Sequence, residues 1–238
     1  MMNKIILAVL LCAPLLAQAS TEVKLDRVQI NVEDKLSLQR GARTFVNYCV
    51  GCHSASYMRY SRLEDLGLTE KQIVENLMVT GEKPVETMTA ALRPADAKEW
   101  FGVAPPDLTL LARSRGADWL YTYLRTFYRD PARPMGWNNT TFPSVAMPHA
   151  LWDLQGEPVM KETSGKGHAE QHLTLGKPGK LNPAEYDALV KDLVNYMVYM
   201  AEPAQTKRKI TGTYVLFFLF GLTILAYFLK KEFWKDIH

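Results

Sequence analysis

The feature that most constrains this chain is an uncharged apolar run near its C-terminus, TYVLFFLFGLTILAYFL, from Thr213 to Leu229. Inside a bilayer every backbone N–H and C=O must be hydrogen-bonded within the protein, so a single run of this kind has to be a helix. At about 1.5 Å per residue the run is roughly 26 Å long, which suits a slightly thin bilayer. Tyr214, Tyr227 and Trp234 lie near its ends, where membrane interfaces favour aromatic residues. The run therefore predicts one transmembrane helix.

The first residues have the features of a cleaved signal peptide. Lys4 precedes an apolar run from Ile5 to Leu16, and Ala17 and Ala19 form a small-x-small cleavage site. We expect cleavage after Ala19, which also removes Cys12. The signal is not of the Arg- and Ser-rich type that targets organelles, so a bacterial periplasm fits best.

An export signal followed by a late apolar helix gives the chain a defined topology. The predicted parts are a signal peptide (1–19), a periplasmic domain (20–206), a basic flank with the transmembrane helix (207–229) and a cytoplasmic tail (230–238). The whole chain carries a net charge of +3, but residues 20–206 hold 21 Lys and Arg against 23 Asp and Glu, a net charge of −2. This mildly acidic head argues against a nucleic-acid partner.

The exported head is predicted to be mainly α, with helices separated by long irregular loops. Apolar residues recur at helical spacing within residues 36–49, 69–79, 116–128 and 182–203. Asn182, Pro183 and Glu185 form a helix start, as do Thr69 and Gln72. Pro- and Gly-rich or polar connections cover residues 80–84, 102–107, 129–139 and 163–179, and no alternating strand pattern is sustained. Such a domain needs something large and apolar to fold around.

The sequence CVGCH, from Cys49 to His53, has three possible meanings. A disulfide would close a very small loop and leave His53 without a role. A structural zinc would need two more ligands, for which only His168 and His172 are close together, with no second cysteine pair. The third meaning is covalent attachment of haem, because C-x-x-C-H is the motif to which c-type haem is attached. Two thiols three residues apart at a helix start can reach both vinyl groups of one porphyrin, and the next residue then ligates iron. We therefore predict one covalently bound haem c on Cys49 and Cys52, with His53 as an iron ligand.

The second axial ligand of the iron decides between ligand chemistry and electron transfer. A methionine opposite histidine raises the potential and favours electron transfer. Loop methionines are the candidates, because Met78, Met197 and Met200 lie on apolar helix stripes and Met58 is too close to His53. They are Met88, Met135, Met147 and Met160. Met147, fixed between Pro143 and Pro148, is preferred, and Met135 remains its rival.

Several stretches in one order give the chain a family resemblance. They are CVGCH after a helix, APPDLTLLARSR (104–115), the F-P-x-x-x-A-M-P stretch around Met147, and NYMVYMAEP followed by basic residues and one membrane helix. This combination resembles the cytochrome c1 family, the haem subunits of ubiquinol–cytochrome c reductase, the cytochrome bc1 complex. The resemblance covers essentially the whole mature chain.

The resemblance implies functional residues and partners. Cys49 and Cys52 would form the thioether bonds, and His53 and Met147 would ligate the iron. Arg115 would meet a haem propionate, and Pro105 and Pro106 would pack at the haem edge. Partners would be cytochrome b, a Rieske iron–sulfur protein that supplies electrons and a soluble cytochrome c that accepts them. Such a subunit has no catalytic site of its own beyond haem redox.

Other functions remain open at this point. One is an independent membrane-anchored cytochrome c carrier or an oxidase-associated cytochrome c subunit. Another is a haem enzyme with an open iron site, for which His149 beside Met147 would be the distal base, although the sequence favours a packed or solvent-facing role for His149. Acidic residues also follow the haem motif, and they either steer a basic cytochrome c or form an ordinary solvated face. They are Glu64, Asp65, Glu70, Glu75, Glu82 and Glu86.

Overall fold

The computed structural model describes residues 23–164 and 169–236; the predicted signal peptide, His168 and His238 lie outside the described residues. Helices dominate the described part, which confirms the predicted mainly α class. They are α1 (Lys35–Tyr48), α2 (Glu70–Asn76), α3 (Pro94–Phe101), α4 (Leu111–Arg115), α5 (Ala117–Arg125), α6 (Trp152–Gln155), α7 (Pro183–Ala201) and α8 (Gln205–Phe233), with a 3₁₀ helix at Tyr60–Leu66. Long connections between α2 and α3 and between α5 and α6 carry most of the irregular structure.

Two small sheets lie among the helices. Their strands are β1 (Ala55–Arg59), β2 (Thr87–Met88), β3 (Phe127–Arg129), β4 (Trp137–Asn139), β5 (Gly156–Ser164) and β6 (Ala169–Pro178). β1 pairs antiparallel with β2, and the other four form a sheet in the order β4-β3-β5-β6, in which β3 and β5 are parallel. The prediction of a loop over residues 163–179 was wrong. β6 is held by backbone pairing with β5 rather than by an apolar face, and Leu175 is 46% exposed, so no strong alternation marks it.

The predicted helix starts are confirmed. The Asn182 side chain accepts a hydrogen bond from the backbone N–H of Glu185 (3.0 Å), while the Glu185 carboxylate accepts one from the N–H of Asn182 (2.9 Å). Thr69 and Gln72 make the same reciprocal arrangement at the start of α2. Helix ends were predicted too late: α5 stops at Arg125, because the Thr-Phe-Tyr sequence that follows enters β3, where β-branched and aromatic residues fit better.

The main core of the head is built where α1 crosses α7. A Cβ at Gly41 would lie 2.1 Å from the backbone oxygen of Asp192, so the two helices approach as closely as glycine allows. Phe45 and Tyr196 are fully buried with ring centroids 5.6 Å apart. The Asp192 carboxylate accepts hydrogen bonds from Arg40 (2.5 Å) and from the Ser37 hydroxyl (2.6 Å). This pair of helices is the framework from which the Cys49–His53 segment extends.

A second, smaller core lies beside the first and is called here the aromatic cluster. It consists of the buried residues Tyr123, Phe127, Trp137 and Val145, against which Met147 packs. Trp119 and Leu124 contact both the main core and the aromatic cluster. Helix α5, which carries Trp119, Tyr123 and Leu124, therefore joins the two.

Helix α8 has the length and composition predicted for a membrane span. Among the described residues it is the one helix that is long and apolar enough to cross a bilayer, and its apolar window is not buried against the rest of the protein. It begins before the apolar run, at Gln205, and continues beyond it to Phe233. Glu202, directly after α7, forms an ion pair with Arg208 in the first turns of α8.

Candidate functional site

The two cysteines follow the C-terminal end of α1, as the helical pattern over residues 36–49 predicted, and do not stand at a helix start. The N–H of Cys49 donates to the Phe45 carbonyl (2.8 Å), and a tight turn follows, in which the N–H groups of Cys52 (3.1 Å) and His53 (2.8 Å) both donate to the Cys49 carbonyl. Both thiols are free; Cys49 is partly buried and Cys52 is exposed. The turn presents two thiols and an imidazole from one short segment.

His53 is fixed in the form that binds a metal. Its ring is 9% exposed, and Nδ1 lies 2.8 Å from the backbone carbonyl of Pro106. A carbonyl can only accept, so Nδ1 carries the proton and the lone pair is on Nε2. Burial lowers the pKa of His53, which favours the neutral ring. A hydrogen bond from one ring nitrogen to a carbonyl is the usual way to orient a histidine ligand.

The loop that supplies the Pro106 carbonyl is itself held by Asp107. One carboxylate oxygen accepts from the N–H of Ser56 and the other from the N–H of Thr109, both at 2.8 Å, while the N–H of Leu108 donates to the Ser54 carbonyl (2.9 Å). Partial burial acts to raise the pKa of Asp107, but these hydrogen bonds outweigh it and the pKa is lowered. Sequence reasoning missed this residue, although an Asp directly after two prolines is a common loop-fixing signal.

Met147 lies half-buried against the aromatic cluster, and the hydroxyl of Tyr123 donates to its Sδ at 3.3 Å. Its rival Met135 is in the turn between β3 and β4, where it is also half-buried. Met88 is fully buried in β2 within the main core, and Met160 lies in β5, away from a loop. Of the four candidates, Met147 and Met88 each have a tyrosine hydroxyl directed at the sulfur, and of these two Met147 is the one that lies in a loop.

Arg115 is the last residue of α4 and is exposed. Its guanidinium lies 5.1 Å above the ring centroid of Trp119, whose ring stacks on Tyr123 at 4.9 Å. Contacts therefore run from Arg115 through two aromatic rings to Met147. The predicted site residues form two groups: the cysteines, His53 and the Pro106 loop in one, and Arg115 with Met147 in the other.

His149 is a packed residue of the second group. It is 2% exposed, stacks on Phe127 with ring centroids 4.9 Å apart, and meets the edge of Trp137. Its Nε2 has no hydrogen-bond partner within the described part of the chain, and burial lowers the pKa of the ring to about 4. These contacts match the packing role that competed with a distal base in the sequence.

The donor set fits haem c better than zinc. Within residues 23–164 and 169–236, no group of three or more His, Cys, Asp and Glu could hold a metal ion. The donors present instead suit a covalently attached haem, which the two unpaired thiols would hold and whose iron the His53 Nε2 and the Met147 thioether would ligate. The residues present fit the haem group.

Comparison with known proteins supports the same assignment. Residues 29–157 and 181–237 match the Cytochrome C1 family. The chain is 50% identical to cytochrome c1 of Allochromatium vinosum over the full length of both, and 25% identical to the mitochondrial cytochrome c1 haem protein of Saccharomyces cerevisiae, covering 86% of this chain and 68% of the yeast protein. It is also 51% identical to the ammonia monooxygenase gamma subunit of Nitrosomonas europaea, over 100% of this chain and 99% of that protein. The chain therefore belongs to the cytochrome c1 family.

Proposed function

We propose that Cys49 and Cys52 attach the haem through thioether bonds and that His53 and Met147 are its axial ligands. The observation that carries the assignment is the hydrogen bond from His53 Nδ1 to the Pro106 carbonyl, which leaves the lone pair of Nε2 to bind iron. Family members carry one covalently bound haem c, and the chain is an electron-transfer subunit of the cytochrome bc1 complex. When bound, the haem accepts and releases one electron at its iron.

The remaining predicted residues orient the group. Pro106 fixes His53 through its carbonyl, and the rigid backbone of Pro105 and Pro106 holds that carbonyl in place. Arg115 supplies an exposed guanidinium at the end of α4, a suitable partner for a haem propionate. Its contact with Trp119 directs the cation toward the group that contains Met147.

The topology and the acidic surface support a direction of electron flow. We infer that the head faces the periplasm, receives electrons from the Rieske protein beside cytochrome b, and passes them to a soluble cytochrome c. The boundaries at residues 19, 206 and 229 belong to this proposal. The predicted acidic residues are all exposed, and Asp65 and Glu75 form ion pairs with Arg62 and Lys71. The proposed attraction is carried mostly by those without an ion pair among the described residues, which are Glu64, Glu70, Glu82 and Glu86.

Replacement of the thioether tests the axial ligand. Met147→Leu should keep covalent haem but lose the near-infrared sulfur–iron band and lower the reduction potential strongly, because methionine ligation is what raises it. Met135→Leu is the matched control, since Met135 is a half-buried loop methionine too, and it should change neither. A Met147→Leu protein with an intact band would assign the ligand to another methionine.

Purification from membranes in mild detergent tests the partners. Cytochrome b and a Rieske protein should be recovered with the chain in fixed proportion. If monooxygenase subunits are recovered instead, the chain acts in a complex like that named for the Nitrosomonas europaea relative. If the chain is recovered without partners, an independent carrier is favoured. Protease added to intact spheroplasts tests the orientation: it should digest the head, whereas digestion only after lysis would contradict a periplasmic head.

A further inference from the structure

Tyr123 has a polar contact that its place in the aromatic cluster does not require. Its Oη lies 3.3 Å from Met147 Sδ, within the range of a hydrogen bond to sulfur. A phenol is the donor in such a pair, because a thioether sulfur can only accept. The sulfur has two lone pairs, so accepting this bond leaves one for a metal.

The position of the hydroxyl is set by contacts on several sides of Tyr123. The ring is 9% exposed, stacks on Trp119 with an interplanar angle of 9°, and meets the edge of Phe127 at 5.0 Å. Its backbone carbonyl accepts a hydrogen bond from the side chain of Asn139 (2.8 Å). These contacts fix the ring, so the Tyr123 hydroxyl has one position, next to the Met147 sulfur.

We propose that Tyr123 is a positioning residue for the methionine ligand, holding one sulfur lone pair of Met147 so that the other is directed at the iron. This inference rests on the proposed ligation by Met147. The hydrogen bond also draws electron density from the sulfur, which makes it a weaker donor. Ferric iron is stabilised more than ferrous iron by electron donation from the sulfur. The hydrogen bond from Tyr123 therefore destabilises the ferric form more than the ferrous form, and this raises the reduction potential.

Tyr123→Phe in the full-length haem-loaded protein is the direct test. Phenylalanine keeps the stacking on Trp119 and removes the donor. We expect a lower potential, equivalent to about a threefold to tenfold change in the redox equilibrium constant, where tenfold is 59 mV for one electron. The sulfur–iron band should move, and added imidazole should displace the methionine from ferric haem several-fold faster. A potential and a band both identical to wild type would overturn the proposal.

A second tyrosine–methionine pair provides the control. Tyr196 is fully buried on α7, and its hydroxyl donates to the sulfur of Met88 at 3.7 Å, in the main core. Tyr196→Phe removes the same kind of contact from a methionine that is not the proposed ligand, so potential and band should stay unchanged. Equal shifts in both variants would overturn the proposal, because the effect would then belong to any lost hydroxyl.

The same set of variants separates this inference from the proposed function. If Met147→Leu loses the sulfur–iron band while Tyr123→Phe leaves potential, band and imidazole rate unchanged, Met147 is the ligand and Tyr123 has no positioning role. If Met147→Leu keeps the band, the ligand assignment itself has failed, and the role of Tyr123 falls with it.

Discussion

The two proposed iron ligands are held by very different parts of the molecule. His53 follows α1, which packs on α7 across Gly41 and extends from a large buried core. Met147 lies on a long connection, against a cluster of four buried side chains. One ligand is therefore carried by packed helices, whereas the other depends on short strands, loop hydrogen bonds and aromatic contacts. We call the packed helices α1 and α7 with His53 the histidine side, and the loops and aromatic cluster around Met147 the methionine side. We infer that the chain alone forms most of the histidine side, and that the methionine side needs haem to become equally rigid.

The largest expected effect comes from removing the attachment that joins the two sides. Cys49→Ala with Cys52→Ala should lower acid–acetone-resistant haem to background and reduce accumulation of the chain by more than about tenfold, because an unstable exported protein is removed. Each single variant, which keeps one thiol, should fall between. Hydrogen exchange in any protein recovered should rise more in β3 and β4 than in α1 and α7. A full c-type spectrum in the double variant would disprove the attachment.

A substitution in the helix contact should damage the histidine side. Gly41→Ala places a methyl group 2.1 Å from the Asp192 backbone oxygen, so α1 and α7 must separate. We expect a loss of about 3 kcal/mol in the free energy of unfolding, the upper part of the usual range for overpacking. Denaturant unfolding of the full chain in detergent measures it. Arg43→Ala, at an exposed position of the same helix, is the control and should change stability by less than about 0.5 kcal/mol.

Asn139 is the corresponding position on the methionine side. Its side chain is 1% exposed, donates to the Tyr123 carbonyl, and accepts from the N–H groups of Thr141 (2.8 Å) and Phe142 (3.0 Å). Asn139→Ala should cost about 2 kcal/mol, since buried backbone groups lose their partners. Its distinguishing effect should be a weakened sulfur–iron band. If the band stays intact while stability falls, the methionine side is more independent of its loops than we infer.

The smallest expected effect is a pH dependence from Asp107. Its pKa is lowered in the folded protein, so its contribution is present above the unfolded pKa of about 3.9 and is lost as pH falls through the lower folded value. Asp107→Asn should cost about 1 kcal/mol at pH 7 and flatten the loss of stability below about pH 4. Asp96→Asn is the control, because this half-buried carboxylate on α3 forms an ion pair with the exposed Arg93 just before the helix. If the free energy of unfolding falls equally below pH 4 in wild type and in Asp107→Asn, the Asp107 carboxylate is not the source of the pH dependence.

The same division explains what the sequence could predict. The start of α7 was readable from Asn182, Pro183 and Glu185, because caps and helical periodicity are local signals. The haem motif was readable for the same reason. β6 was not, because its pairing with the neighbouring strand β5 is made by backbone groups and leaves no repeating side-chain pattern. The bond from Asn139 to the Tyr123 carbonyl, 16 residues away, has no local signal either. Tyr123 could be assigned to an apolar helix face, but not to the sulfur 24 residues away.

The short junction between α7 and α8 has a mechanical consequence. Three residues separate the two helices, and one of them, Glu202, forms an ion pair with Arg208 of α8. Residues 205–212 of α8 precede the apolar run and make a stiff post about 12 Å long. A head joined to this helix by only three residues stays near a constant height above the membrane. Any reach needed to bring an electron donor or acceptor to it must come from the partner's movement.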